Sequence, residues 1–204
     1  MTELPIEILQ FFRQQAELYP EDFYLKPLPK KNTITAGPKA AKPEAKEKQK
    51  AERFITSGNS QAKILFLCNR PLKDDLISGE LISGEAGKLF DKILKAIDLT
   101  RKDIYITSLR SVNKAGKFSD NPKIEAINTL IDEMNPAIIV SLGETAGNEL
   151  LGTSYEMEKC HGKLQNYQGH QFMFTFHPEL VRRNNQLKRP VWEDFKRLKE
   201  IVKN

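Results

Sequence analysis

Apolar residues fall along the second part of this chain in short runs, separated by stretches of helical period. Residues 62–68 read Ala-Lys-Ile-Leu-Phe-Leu-Cys, a continuous apolar run of strand length, as expected of a strand covered on both faces. A polar loop over 69–83 and a helical pattern over 84–97 follow. A second strand is expected at 103–107, then a loop around 113–122. A helix over 122–134 runs into a third strand at 137–142. Gly143-Glu144-Thr145-Ala146 opens another helix, whose first amides could hold an anion. A hairpin over 162–176 supplies the last strand, and an amphipathic helix carrying Trp192 closes the chain, with the indole expected in the core. Strand and helix alternate with connections long enough for parallel crossovers. The expected class is therefore α/β: a three-layer α/β/α domain with a short, mostly parallel four-stranded sheet. Ligands in such sheets sit outside the carboxyl ends of the strands, here Cys68-Asn69, Thr107-Ser108, Gly143 and His177.

Upstream the pattern changes. Residues 4–18 put Leu4, Ile8, Phe11, Phe12 and Leu18 near one helical face. From 26 to about 53, Pro27, Pro29, Pro38 and Pro43 alternate with Lys, Ala and Glu, too few apolar groups to offset ordering entropy. Three regions are expected: a helix within 1–25, a flexible basic linker over 26–60, and a folded domain over 61–204. Lysine and arginine exceed acidic residues, for a net charge of +5 in 204 residues, which suits an anionic partner. No run of about 18 apolar residues is present to span a bilayer, and the start lacks a secretory signal pattern. Only two cysteines occur, Cys68 and Cys160, outside any metal or disulfide spacing. The expectation is a cytoplasmic protein of bacterial type, with no membrane contact, no metal and no cofactor.

The candidate chemistry lies where the apolar run Phe172-Met173-Phe174 leads to His177-Pro178, then to Arg182, Arg183, Lys188 and Arg189, then to Trp192-Glu193-Asp194. One imidazole at the end of a buried strand stands beside cations suited to phosphate. His161 and His170 sit in a polar hairpin and are expected at the surface, as is the Asp74-Asp75 pair in its loop.

Taken in order, residues 64–67, Ser83-Gly84-Glu85-Ala86-Gly87-Lys88-Leu89-Phe90, Ile104-Tyr105-Ile106-Thr107-Ser108, the segment 135–143 with Leu150-Leu151-Gly152, and 177–195 resemble the uracil-DNA glycosylase superfamily, nearest its family 4 branch. The resemblance implies a domain that binds DNA and hydrolyses the N-glycosidic bond of uracil in base-excision repair. It also implies site residues. His177 would stabilise the leaving base, and Asn69 would aid water attack from the position of the family's first motif. Ile82 stands where the family stacks a phenylalanine on the base, and Ser108 where an asparagine reads its edge. Arg182, Arg183 and Lys188 would meet phosphates. The family's iron–sulfur cysteines have no counterparts, Val112 occupying one of those positions, so no iron–sulfur cluster is expected.

An aromatic platform is worth about 1–3 kcal/mol of stacking per base, and Ile82 lacks a π face. Ser108 is shorter than an amide and would need a bridging water to reach a base. The expected base pocket is thus altered or degenerate. A second expectation comes from the psi subunit of bacterial DNA polymerase III, which is similar in fold and not catalytic. It tethers a partner by an N-terminal peptide, as residues 4–18 would here, giving a replication or repair interaction subunit.

Overall fold

The computed structural model describes residues 53–113 and 116–203. The expected helix at 4–18 and most of the expected linker lie outside the described residues. Among the described residues six strands form one sheet: β1 (Ser57–Gly58), β2 (Ile64–Cys68), β3 (Ile104–Ser108), β4 (Ile138–Leu142), β5 (Leu164–Tyr167) and β6 (His170–Thr175). Their spatial order is β1-β3-β2-β4-β6-β5. The four central strands are parallel, and β1 and β5 add antiparallel edges. The parallel sheet of four expected from the sequence is therefore its centre, and the full sheet is wider by two edge strands. Every residue of β2 and β4 is buried, which is why β2 reads as an unbroken apolar run and β4 as one broken only by Ser141.

Helices α1 (Lys73–Ser78), α2 (Gly84–Ala96), α3 (Ile124–Met134), α4 (Glu144–Leu151), α5 (Met157–Cys160), α6 (Pro178–Arg183) and α7 (Lys188–Lys203) fill the connections. Phe66 of β2 is paired in register with Val140, and Val140 with Met173, so these share one face. On that face Phe66 meets Phe90 of α2 edge-on at 5.2 Å and stacks on Phe195 of α7 at 6.0 Å. Each such aromatic pair adds about 0.5–1.5 kcal/mol beyond its buried area. The opposite face carries Phe172 and Phe174. Gly147 of α4 lies so close to Phe174 that a Cβ there would fall 2.1 Å from the ring, so only glycine lets this helix seat. Helices thus cover both faces, as expected.

Three local expectations are corrected. The linker does not extend to residue 60: Arg53 bridges Val112, Ile55 is in the core, and Ser57 pairs with Ile106. Here β1 pairs with the outer edge of β3, which would otherwise present unpaired backbone. The loop expected over 69–83 contains α1, ended by Gly79 in the left-handed region at φ 78°. Trp192 is 38% exposed, while Val191, Phe195 and Leu198 are the buried stripe of α7. No helix among the described residues is long and apolar enough to cross a membrane.

Candidate active site

The register aligns Cys68 with Ser108 and with Leu142, and Leu142 with Thr175. The carboxyl ends of β3, β2, β4 and β6 therefore lie side by side. Strand order reverses between β2 and β4, the usual binding crevice of an open α/β sheet. His177 follows β6 by two residues and caps α6. Its Nδ1 accepts the Glu179 N–H at 3.2 Å, which leaves the ring proton on Nε2. The side chain is buried, and burial pushes its pKa down from 6.5 to about 4, against weaker upward pulls from Asp75 and Glu179. At neutral pH it is an uncharged imidazole with its donor fixed.

Asp75 was expected as surface charge and is instead 2% exposed. As α1 turns back beneath the next loop, one carboxylate oxygen accepts the Leu72 N–H at 2.8 Å. The other accepts the Ser83 N–H at 2.8 Å and the Ser83 hydroxyl at 2.9 Å. Its charge bears on both His177 and Cys68. Neighbouring Ile82 is buried and has φ 54°, a backbone region a β-branched residue rarely occupies.

Asn69 is nearly buried at the end of β2, and its side-chain oxygen accepts from the Arg110 guanidinium. Arg110 in turn holds Glu149 of α4 with two bonds of 2.8 Å, the bidentate geometry that fixes an arginine best. The Ser108 hydroxyl donates to the Arg110 carbonyl at 2.9 Å, and Ser108 has no exposed surface. The sequence-expected residues Asn69, Ser108 and His177 are thus all brought to one edge of the sheet. Ile82 joins them through Ser83 and Asp75. Sequence reasoning missed Asp75, Arg110 and Glu149. No sequence signal pointed to Asp75, because the first turn of α1 that holds it was expected as loop.

A family model described as "Uracil DNA glycosylase superfamily" matches residues 55–196, a span that includes all six strands of the sheet. The chain belongs to this superfamily. Relatives include a "Type-4 uracil-DNA glycosylase" of Thermotoga maritima, 28% identical over 158 residues, covering 73% of this chain and 82% of the relative. The protein of that name from Archaeoglobus fulgidus is 27% identical over 163 residues, covering 71% and 79%. A third, from Saccharolobus solfataricus, is 28% identical over 165 residues, covering 71% and 74%.

Within this uracil-DNA glycosylase superfamily member, the cysteines do not fit an iron–sulfur cluster. Cys68 ends β2 and Cys160 ends α5, both buried. Burial pushes the Cys68 thiol far up, with the Asp75 charge adding to it, and raises Cys160 to about 11. The chain has two cysteines, whereas a cluster of this kind is held by four. No group of three or more His, Cys, Asp or Glu side chains among the described residues is placed to hold a metal.

The basic residues are more engaged than expected. Arg182 and Arg183 both bond Glu179, at 2.7 Å and 2.8 Å, which neutralises one of their two charges. Lys188 lines a cleft with Arg182, Lys88, Lys92, Glu85 and Asp91. The two hairpin histidines are also engaged. His161 Nδ1 lies 3.0 Å from Asp194, which also accepts the Thr175 hydroxyl at 2.7 Å. His170 Nδ1 lies 2.9 Å from the Pro136 carbonyl.

Proposed function

We propose that this chain is a DNA glycosylase that hydrolyses the N-glycosidic bond of uracil in base-excision repair. The observation that carries the reading is His177, a neutral imidazole at the strand ends with its proton fixed on Nε2. When the bond from the sugar C1′ to the base N1 breaks, its electron pair leaves with the base. The negative charge spreads to the base oxygens, where a fixed N–H donor is worth most. Water then bonds to C1′ and its surplus proton passes to the departing base. Asp75 supplies negative potential beside His177, of the sign that favours a cationic sugar.

Asn69 and Arg110 form the polar wall on the water side. Ile82 shapes the pocket by apolar contact. Ser108 acts differently from an amide: its proton is committed to the Arg110 carbonyl, so its oxygen offers only lone pairs. It can accept the ring N3–H of uracil and finds no hydrogen on N3 of cytosine. Because Ser108 is wholly covered, that contact forms only as the pocket opens around an extruded base. Arg182, Arg183 and Lys188 are the phosphate-facing cations of this reading. The interaction-subunit alternative rests on residues 4–18, outside the described residues, and nothing among the described residues favours it.

The test is release of uracil from single- and double-stranded DNA by the full chain beside its His177→Ala variant. Release by the wild type and loss in the variant is the expected result; no release by the wild type removes the enzymatic reading, and equal release from both removes the role of His177.

A further inference from the structure

Arg101 lies in the turn before β3, at the opposite end of that strand from Ser108, yet its guanidinium is spent on the backbone of the Ile82 loop. Nη1 donates to the Leu81 carbonyl at 2.9 Å and Nη2 to the Ile82 carbonyl at 2.6 Å. Nε donates to Asp91 of α2 at 2.7 Å, and Nη1 also reaches the Ser57 hydroxyl at 3.3 Å. The group stands over the Phe90 ring, 5.3 Å from its centre, so its plane and position are fixed from several sides.

The peptide joining Ile82 to Ser83 is then held at both ends. Its carbonyl accepts from Arg101, and its N–H donates to Asp75 at 2.8 Å. A cation and an anion thus lie on opposite ends of one peptide dipole, each strengthening the other's hydrogen bond. The same peptide follows the residue with φ 54°, a conformation that an isoleucine does not hold unaided. Gly87 of α2 completes the seat: a Cβ there would lie 2.4 Å from the Ile82 carbonyl oxygen. Only a glycine lets that oxygen stay where Arg101 meets it.

From this geometry we infer that Arg101 is a positioning residue for the candidate site, acting through the Ile82–Ser83 peptide on Asp75 and on the Ile82 wall. It touches no substrate. The inference rests on the glycosylase reading for its catalytic consequence, while the clamp itself stands on the backbone contacts. A lysine at this position keeps the charge and most of the stem but cannot donate to two carbonyls in one plane.

Two variants test it: Arg101→Lys, which removes the fork, and Gly87→Ala, which displaces the Ile82 carbonyl and leaves Arg101 intact. In the full chain, each is expected to speed hydrogen exchange at the Ser83 amide at least tenfold while exchange in the β4 strand stays unchanged. On uracil-containing DNA each is expected to lower kcat about ten- to a hundredfold, as small misplacements of site groups do, with KM within about twofold. The double variant is expected to be little worse than either single one, because both break the same contact. Unchanged Ser83 exchange in Arg101→Lys overturns the clamp. A raised KM at constant kcat, or full additivity of the two variants, overturns its role at the site. If the wild type releases no uracil, the glycosylase reading fails with the catalytic part of this inference, and Ser83 exchange still decides the clamp.

Discussion

At the scale of single residues, the decisive property is the charge state of His177. Its pKa in the fold, about 4, lies below the ordinary 6.5, so between those values the unfolded chain binds a proton that the folded chain refuses. Stability contributed by the neutral ring is therefore complete above about pH 6.5 and declines as pH falls towards 4. The loss is on the order of 3 kcal/mol across that window. Denaturant melts at pH 7.5, 6 and 4.5 should show the wild type losing more stability on acidification than His177→Gln, which carries no titrating ring. Equal losses in both would mean that the imidazole is not neutral in the fold. Catalysis gives an independent reading of the same group. A neutral donor needs no imidazolium, so kcat should not decline as pH rises through 6.5; a decline there would point to a cationic histidine instead.

At the scale of elements, the chain was readable wherever burial is uniform and much less so where a contact arrives from far away. Strands β2 and β4 are covered on both faces, so each reads as a mostly apolar run of strand length. The two residues of β1 carry no such pattern, and what makes them a strand is the waiting edge of β3. Trp192 shows the same limit within a helix. Val191, Phe195 and Leu198 follow the spacing of one buried stripe, and the indole at the next position turns about 100° away from Val191. For the site, His177 could be found because it ends a strand inside an ordered set of motifs. Asp75 could not, since its burial depends on α1 folding beneath Ser83. Arg110 and Glu149 were hidden similarly, because the pair joins the loop after β3 to α4 across 39 residues of chain. That pair makes a prediction at this scale. Glu149→Ala leaves the mostly buried Arg110 without its two carboxylate bonds and should cost about 1–3 kcal/mol in denaturant melts. It should also lower kcat, because Asn69 loses the guanidinium that orients it. A variant as stable and active as wild type would show that α4 does not brace the site.

At the scale of the whole molecule, the net charge of +5 says less than its distribution beside the His-Pro turn. The cleft of ≈ 490 Å³ lined by α2, α6 and the start of α7 gathers Lys88, Lys92, Arg182 and Lys188 against Glu85 and Asp91. Lys88 is bound to Glu85 at 2.6 Å, and Arg182 is bound to Glu179. Lys92 and Lys188 have no ion pair among the described residues, so a phosphate meeting them displaces no carboxylate. A lysine that neutralises one phosphate releases condensed counterions and adds about 0.9 to the slope of log affinity against log salt on duplex DNA. Binding of the full chain to a duplex, followed by fluorescence anisotropy between low and moderate salt, should therefore lose about 0.9 of slope in Lys92→Ala and again in Lys188→Ala. Arg182→Ala should change the slope less, because Arg182 is already paired with Glu179, which keeps its bond to Arg183 in the variant. Lys159, paired with Glu156 at 2.6 Å near α5, is the control, and its alanine variant should leave the slope unchanged. If Lys92 and Lys188 behave like Lys159 while the wild type still binds, the duplex runs along another face. The cations beside α6 would then be surface charge, and His177 would have to be reached by DNA from the side of Asn69 and Arg110.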